Sequence, residues 1–199
     1  SPTIAEIAAG YRAKVPNGDS VVATLNIFVM QEIFSSDKTE LKTLAELIDG
    51  SVLVLDLREL DPDTATKNAL VALFLNQYLE YMIQLQKWPF EKFENVQLRR
   101  LNSYLVVDEA TNIMEYSFEV LMRLLLQGRE YGVGVLLSSQ YLSHFAPSGG
   151  DNYGQPLLTW FIHKIPNVVL GQLHSLGLPA ANVGDVTRIM TNPNHVAYY

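Results

Sequence analysis

The chain has 199 residues, of which 48% are hydrophobic and 18% are charged, and its formal net charge is -7. A chain of this length can bury one sizeable core or two small ones. Its acidic balance argues against binding nucleic acid by overall positive charge, and the absence of cysteine excludes disulfides and thiolate zinc sites.

The first 50 residues form a mixed segment of uncertain role. Residues 3–14 predict a short helix, and residues 16–20 (PNGDS) a turn. Residues 21–31 are apolar and begin with β-branched side chains, so both a strand and a helix remain open. Leucines at helical spacing predict a helix over residues 37–48, closed by Gly50. This N-terminus lacks the layout of a signal peptide, and no apolar run in the chain reaches the roughly 18 residues that span a bilayer. We therefore expect a cytoplasmic protein without membrane contact.

The pattern changes at residue 51, and we assign residues 51–199 to a second region. Residues 52–57 (VLVLDL) are a nearly continuous apolar run, which is typical of a strand that is buried on both faces. Residues 61–63 (DPD) supply a helix start, and the segment from there to about residue 87 has no Gly or Pro, which predicts a long helix. Residues 90–102 are interpreted as a polar connection.

Strands and helices alternate in the remainder of the chain. The predicted strands are residues 104–107, 133–137, 157–165 and 195–199, and the predicted helices are residues 117–130, stopped by Gly132, and 168–176. This alternation indicates an α/β fold with a mainly parallel sheet and helices on both faces.

Polar residues follow two of the predicted strands. Asp108 and Glu109 come directly after LVV, and Gln140 closes the next strand, which follows a helix that carries an internal Arg. The carboxyl ends of parallel strands meet at one edge of a sheet, where ligands bind. In P-loop ATPases an Asp at such a strand end helps to hold Mg²⁺, and the following Glu can take the proton of the attacking water. Two other interpretations stay open. The carboxylates can belong to a solvated loop, and Arg129 can form a structural ion pair with Glu130 or Glu109.

The histidines do not suggest a metal site, because they are too scattered in the sequence. We interpret them as surface residues or as core residues with satisfied hydrogen bonds: His144, His163, His174 and His195.

The stretch LVVDEA, followed by LLLQGREYGVGVLLSSQ, resembles the HerA/FtsK-type DNA-translocating ATPases. The resemblance is specific over residues 101–142, extends with weaker motifs over residues 51–170 and is absent over residues 1–50. It implies a RecA-like P-loop NTPase core in a hexameric ring that moves DNA with ATP and Mg²⁺. By this resemblance, Asp108 binds Mg²⁺, Glu109 activates water, Gln140 senses the terminal phosphate, and Arg129 stabilises charge within one subunit or across a subunit boundary.

The chain departs from this family in one respect: it contains no G-x-x-x-x-G-K-[ST] phosphate loop. The nearest stretch, residues 8–14 (AAGYRAK), has one Gly, and Val15 stands where Ser or Thr is needed. We therefore expect the C-terminal portion of a motor core whose phosphate loop lies upstream, and which is inactive as an isolated chain. The alternative is a non-catalytic docking or oligomerisation domain that keeps the ATPase fold. Chromosome segregation, end processing with a nuclease partner, conjugation and antiphage defence all use such motors, and the last two suit a divergent chain best.

Overall fold

The computed structural model describes residues 2–30, 32, 34–37, 39, 42–60, 64–87, 89, 91–93, 96–98, 100–116, 118–146, 150–193 and 196–197. For residues 59, 64, 91–93 and 96–98 it describes the backbone alone. The chain is mixed α/β and divides into two compact units, Ser1–Tyr81 and Met82–Tyr199, with the division inside a helix. The boundary placed at residue 50 from the sequence stays a prediction.

The first unit begins with two helices, α1 (Ile4–Lys14) and α2 (Ser20–Met30). The Thr3 hydroxyl accepts a hydrogen bond from the Glu6 N–H, and the Glu6 carboxylate accepts one from the Thr3 N–H, so a capping box starts α1. This helix confirms the one predicted over residues 3–14. Asp19 accepts a hydrogen bond from the Val22 N–H and another from the Tyr11 hydroxyl, which joins the two helices. Capping by Asp19 explains why the second apolar stretch forms a helix and not a strand.

Two further helices follow, α3 (Leu44–Ile48) and α4 (Thr64–Gln84). The helix predicted over residues 37–48 is shorter than expected, because a capping box centred on Thr43 fixes its start. The predicted start of α4 at residues 61–63 lies outside the described residues. The small core of this unit contains Phe28, Leu60 and Leu70, and Leu57 packs against it.

The strand predicted over residues 52–57 is wrong. This segment has no regular secondary structure, and Val52 and Val54 are 90% and 76% exposed. A strand needs a neighbouring backbone to pair with, and among the described residues this segment pairs with none. Asp56, at its end, accepts hydrogen bonds from the Arg58 guanidinium, which lower the pKa of that carboxyl to about 2.

The second unit contains four strands in two separate pairs. β1 (Glu91–Phe93) and β2 (Val96–Leu98) pair antiparallel, in the segment that the sequence analysis interpreted as a polar connection. β3 (Ser103–Val107) and β4 (Val133–Leu137) pair in parallel, with Ser103 opposite Val133 and Val107 opposite Leu137. This parallel pair confirms the second and third predicted strands.

Helices connect and follow the parallel pair. Between β3 and β4 lie α5 (Thr111–Glu115), α6 (Glu119–Gln127) and a 3₁₀ turn (Gly128–Tyr131). A second 3₁₀ turn (Leu142–Phe145) and the helices α7 (Leu170–Ser175) and α8 (Val183–Thr191) come after β4. The sequence analysis found α7 and the helix before β4, and it missed α8. Across the described residues, no helix is both long enough and apolar enough to cross a bilayer.

The parallel sheet is smaller than the sequence predicted. Residues 157–165 form no strand, because only Ile162 makes an isolated bridge. Of the predicted last strand, residues 196 and 197 lack regular structure and the others lie outside the described residues. One face of the pair is buried at Leu105, whereas Tyr104 and Val106 on the other face are 66% and 63% exposed. The described residues therefore cover one face of this sheet and not both.

Candidate functional site

The two loops that follow β3 and β4 begin at the same edge of the sheet. Backbone pairing continues past the strands, because the Ser138 N–H donates to the Val107 carbonyl at 3.0 Å and the Ala110 N–H donates to the Ser138 carbonyl at 2.8 Å. The polar residues predicted at the ends of these strands are therefore brought together, as expected for parallel neighbours.

Asp108 is held by the second of these loops. The Ser138 hydroxyl donates to Asp108 Oδ1 at 2.5 Å, and the Glu109 N–H also lies 3.1 Å from this oxygen. Among the described residues, none donates a hydrogen bond to Oδ2. One oxygen of an exposed carboxylate is thus fixed by the protein, and the other remains available to a ligand.

Glu109 has a different side-chain partner from Asp108. Its φ of 47° lies in the left-handed region, which is uncommon for a residue other than Gly, costs energy, and persists only where the surroundings impose it. The Ser138 hydroxyl accepts from the Glu109 N–H at 3.2 Å, and the Gln140 amide donates to Glu109 Oε1 at 3.1 Å. The two adjacent carboxylates therefore have different partners and separate positions.

This arrangement can serve a cation and a water molecule side by side. Within the part of the chain that the structure describes, no group of three or more His, Asp or Glu side chains is placed to hold a metal ion. Mg²⁺ in phosphate-transferring enzymes is bound by one or two carboxylates, by substrate phosphates and by water. The Oδ2 atom of Asp108 is chemically suited to be one such carboxylate ligand, and the Glu109 carboxylate belongs to the next residue.

Behind the carboxylates lies a polar cluster that the sequence analysis missed, made of Thr111, Ser139 and His144. The Thr111 and Ser139 hydroxyls are 3.0 Å apart, and each lies 2.7 Å from His144 Nδ1. All three residues are half-buried. The signal in the sequence that could have revealed this cluster is the position of its members. Thr111 follows Glu109 by two residues, and Ser139 directly precedes Gln140. His144 is thus half-buried with hydrogen-bonded partners, which agrees with one of the two interpretations given for the histidines.

Arg129 does not join the carboxylates within this chain. It lies in the 3₁₀ turn Gly128–Tyr131, before β4 begins, whereas Asp108 and Gln140 lie beyond the other ends of the strands. At about 3.3 Å per residue, the length of β4 separates them by roughly 16 Å. The Arg129 side chain is exposed and makes no hydrogen bond or ion pair with the described residues.

In the turn that carries Arg129, the two residues directly after it contact Lys87. Lys87 Nζ lies 2.7 Å from a Glu130 carboxylate oxygen and 4.7 Å from the centre of the Tyr131 ring. The hydrogen bond to Glu130 raises the pKa of Lys87 above its usual value. Glu130 therefore pairs with Lys87. The ion pair of Glu130 with Arg129, which the sequence left open, is not formed in the described structure.

Gly132 is the glycine that closes the Gly-Arg-x-Tyr-Gly turn. Its φ is 68°, and a Cβ atom there would lie 2.3 Å from the Arg100 carbonyl oxygen. The Asn102 N–H donates to the Gly132 carbonyl and the Asn102 side chain donates to the Tyr131 carbonyl, both at 2.6 Å. The turn is thus packed against the segment that leads into β3, where only Gly fits.

Comparison with protein-family models found no match, and comparison with curated proteins found no relative.

Proposed function

We propose that the chain is the C-terminal portion of a RecA-like motor core of the HerA/FtsK type, and that Asp108, Glu109 and Gln140 form the hydrolytic half of its ATP site. The observation that carries the proposal is the divergence of the two carboxylates. Ser138 holds Asp108, while a left-handed backbone turns Glu109 toward Gln140. A plain solvated loop needs neither the strained backbone nor a separate partner for each carboxylate.

Each residue has a role that suits its position. Asp108 would hold Mg²⁺, which would supply positive charge against the phosphates of ATP. Glu109 accepts the proton of the attacking water. Gln140, on the neighbouring loop, contacts both Glu109 and the terminal phosphate, so that it can respond when that phosphate leaves.

A second part of the site must come from outside these residues. The 199 residues contain no phosphate loop, and tight binding of phosphates needs its lysine and its cradle of backbone N–H groups. We therefore place that loop in upstream sequence of the complete motor and expect no ATP turnover from this chain alone.

Arg129 then acts on a neighbouring subunit. About 16 Å separates it from the carboxylates of its own chain, and it is exposed in a turn whose next residue, Glu130, pairs with Lys87. In a closed ring of identical subunits, which the resemblance implies to be hexameric, one edge of each copy faces the opposite edge of the next. Such a ring encloses DNA in the cytoplasm. We favour conjugation and phage defence as the processes that it serves. For DNA-end processing, the partner class that we propose is a nuclease.

The missing phosphate loop favours one other function: a docking or oligomerisation domain that keeps the fold without hydrolysis. The two functions differ in what Glu109 does. The test is Glu109→Gln in the longest natural product of the gene, with Glu115→Gln as the matched control, because Glu115 is exposed at the end of α5.

For a motor, Glu109→Gln lowers kcat for ATP by about 10²–10⁴-fold, the usual contribution of a general base. It leaves ATP binding intact, because a Gln side chain can still accept the hydrogen bond from Gln140. Glu115→Gln leaves both unchanged. Turnover that is unaffected by Glu109→Gln would show the role of Glu109 to be wrong, and absence of turnover in the longest product would favour the docking domain.

A further inference from the structure

The cluster of Thr111, Ser139 and His144 joins three segments of the second unit. Thr111 is the first residue of α5, Ser139 belongs to the loop after β4, and His144 lies in the 3₁₀ turn Leu142–Phe145. Three contacts of 2.7–3.0 Å close a triangle between the two hydroxyls and the imidazole Nδ1. Neither hydroxyl belongs to a strand, so the cluster adds side-chain contacts just beyond Ala110 and Ser138, where the backbone pairing of the two segments ends.

His144 is the member of the cluster with the firmest support. Leu142 and Phe145, on either side of it, are buried, and Phe145 packs edge-to-face on Trp160 with ring centres 5.0 Å apart. The imidazole also makes an edge contact with the Tyr141 ring at 5.2 Å. The segment that carries the imidazole is therefore anchored by its own buried neighbours. The two hydroxyls lie on other chain segments, which carry the catalytic candidates.

Proton counting shows what Nδ1 does in the triangle. This atom has either one lone pair or one N–H, while each hydroxyl supplies one proton and two lone pairs. When Nδ1 carries a proton, it can point between both oxygens while one hydroxyl donates to the other, so that all three contacts are attractive. When Nδ1 is bare, its one lone pair accepts from one hydroxyl, and the other hydroxyl donates to the first. In both states His144, Thr111 and Ser139 form one connected hydrogen-bond network.

The two linked residues are direct neighbours of the carboxylate site. Ser139 precedes Gln140, whose amide donates to Glu109 Oε1 at 3.1 Å, and Thr111 follows Glu109 by two residues. The Gln140 side chain is exposed and has several rotatable bonds, so its position depends on how firmly its backbone is held. A displacement of about 1 Å in a reacting group can cost roughly 10²-fold in rate.

We propose that His144 is a positioning residue for the ATPase reaction: by binding Thr111 and Ser139 it fixes the loops of Glu109 and Gln140, and thereby the hydrogen bond between these two side chains. The inference rests on the proposed function for its catalytic part. Its structural part concerns this chain alone and is measurable without turnover.

The structural test follows the side-chain amide signal of Gln140 by NMR in the 199-residue chain, assigned through its loss in Gln140→Ala. In His144→Ala this signal moves to the position of a solvent-exposed glutamine. In His144→Asn it stays near the wild-type position, because an Asn side chain places a polar atom close to that of Nδ1. His163→Ala is the matched control, since His163 is exposed and lies outside the cluster, and it leaves the signal unchanged.

The kinetic test uses the longest natural product of the gene. There, His144→Ala lowers kcat by about 10–10²-fold with the KM for ATP unchanged, and His144→Asn restores most of it. A Gln140 signal that is the same in His144→Ala and in the wild type overturns the inference, even if the variant melts at a lower temperature. A displaced signal with unchanged kcat overturns it as well. Absence of turnover in the wild type overturns the proposed function and with it the catalytic part, whereas the NMR result still decides the structural part.

Discussion

Replacing Glu109 by Gly or by Ala removes the same carboxylate but treats the backbone differently. At the observed φ of 47°, a Cβ atom lies too close to the following carbonyl oxygen, which costs roughly 1–2 kcal/mol. Gly avoids this cost but loses more conformational freedom on folding, by about 0.5–1 kcal/mol relative to Ala. We therefore expect Glu109→Gly to be more stable than Glu109→Ala by about 0.5–1 kcal/mol.

The same pair of substitutions in an ordinary helix has the opposite order. Arg123 is exposed in the middle of α6, where Gly is about 1 kcal/mol less favourable than Ala. Arg123→Gly and Arg123→Ala thus provide the matched control. Because both substitutions at Glu109 delete the hydrogen bond from Gln140, that loss cancels in the comparison.

Equilibrium unfolding in urea, followed by circular dichroism, measures these differences in the isolated chain. With a slope of about 2 kcal/mol per M, the two Glu109 variants should have midpoints that differ by roughly 0.25–0.5 M. A midpoint for Glu109→Ala equal to or above that of Glu109→Gly, with the normal order at Arg123, would refute the left-handed backbone at Glu109. The divergence of the two carboxylates would then lose its structural basis.

Two further predictions concern the turn that carries Arg129. Gly132→Ala should lower the free energy of unfolding by at least about 2 kcal/mol, because the new Cβ atom would clash with the Arg100 carbonyl oxygen. The control is Gly171→Ala in α7, where a new Cβ atom would have no atom within 4 Å. In the same urea assay, this control should raise the free energy of unfolding by about 0.5–1 kcal/mol. Since hydrogen bonding to Glu130 raises the pKa of Lys87 above 10.5, the pair stabilises the folded chain below that pH and loses its contribution as the pH rises through the higher folded-state pKa. Glu130→Gln should return the pKa of Lys87 toward 10.5 in an NMR titration, and an unchanged pKa would contradict this pairing.

The sequence predicted the parallel pair because its signals were independent and agreed. Apolar β-branched runs marked β3 and β4, polar residues marked their carboxyl ends, and Gly132 marked the end of the connecting segment. Since neighbouring parallel strands end at one edge, the meeting of Glu109 with Gln140 followed from the order of the elements alone. The ion pair of Glu130 with Lys87 did not follow, because its partners are distant in sequence.

The sequence failed where the outcome depends on partners. The apolar run at residues 52–57 has the composition of a buried strand, but composition carries no information about which backbone it pairs with. The hairpin of β1 and β2 has three residues in each strand, which is too short for a periodic signal to emerge. His144 was described only in general terms because its two hydroxyl partners come from two segments, 33 and 5 residues away.

The contacts that build the candidate site have a consequence for folding kinetics. The contacts between the segment after β3 and the segment after β4 join residues whose separations along the chain fall in a narrow range, from 28 between Thr111 and Ser139 to 33 between Thr111 and His144. One loop closure, that of β3 onto β4, therefore pays the chain entropy for every one of these contacts. The site should form in a single cooperative step with the parallel pair, and the backbone amides of Ala110 and Ser138 should exchange with solvent only when that pair opens.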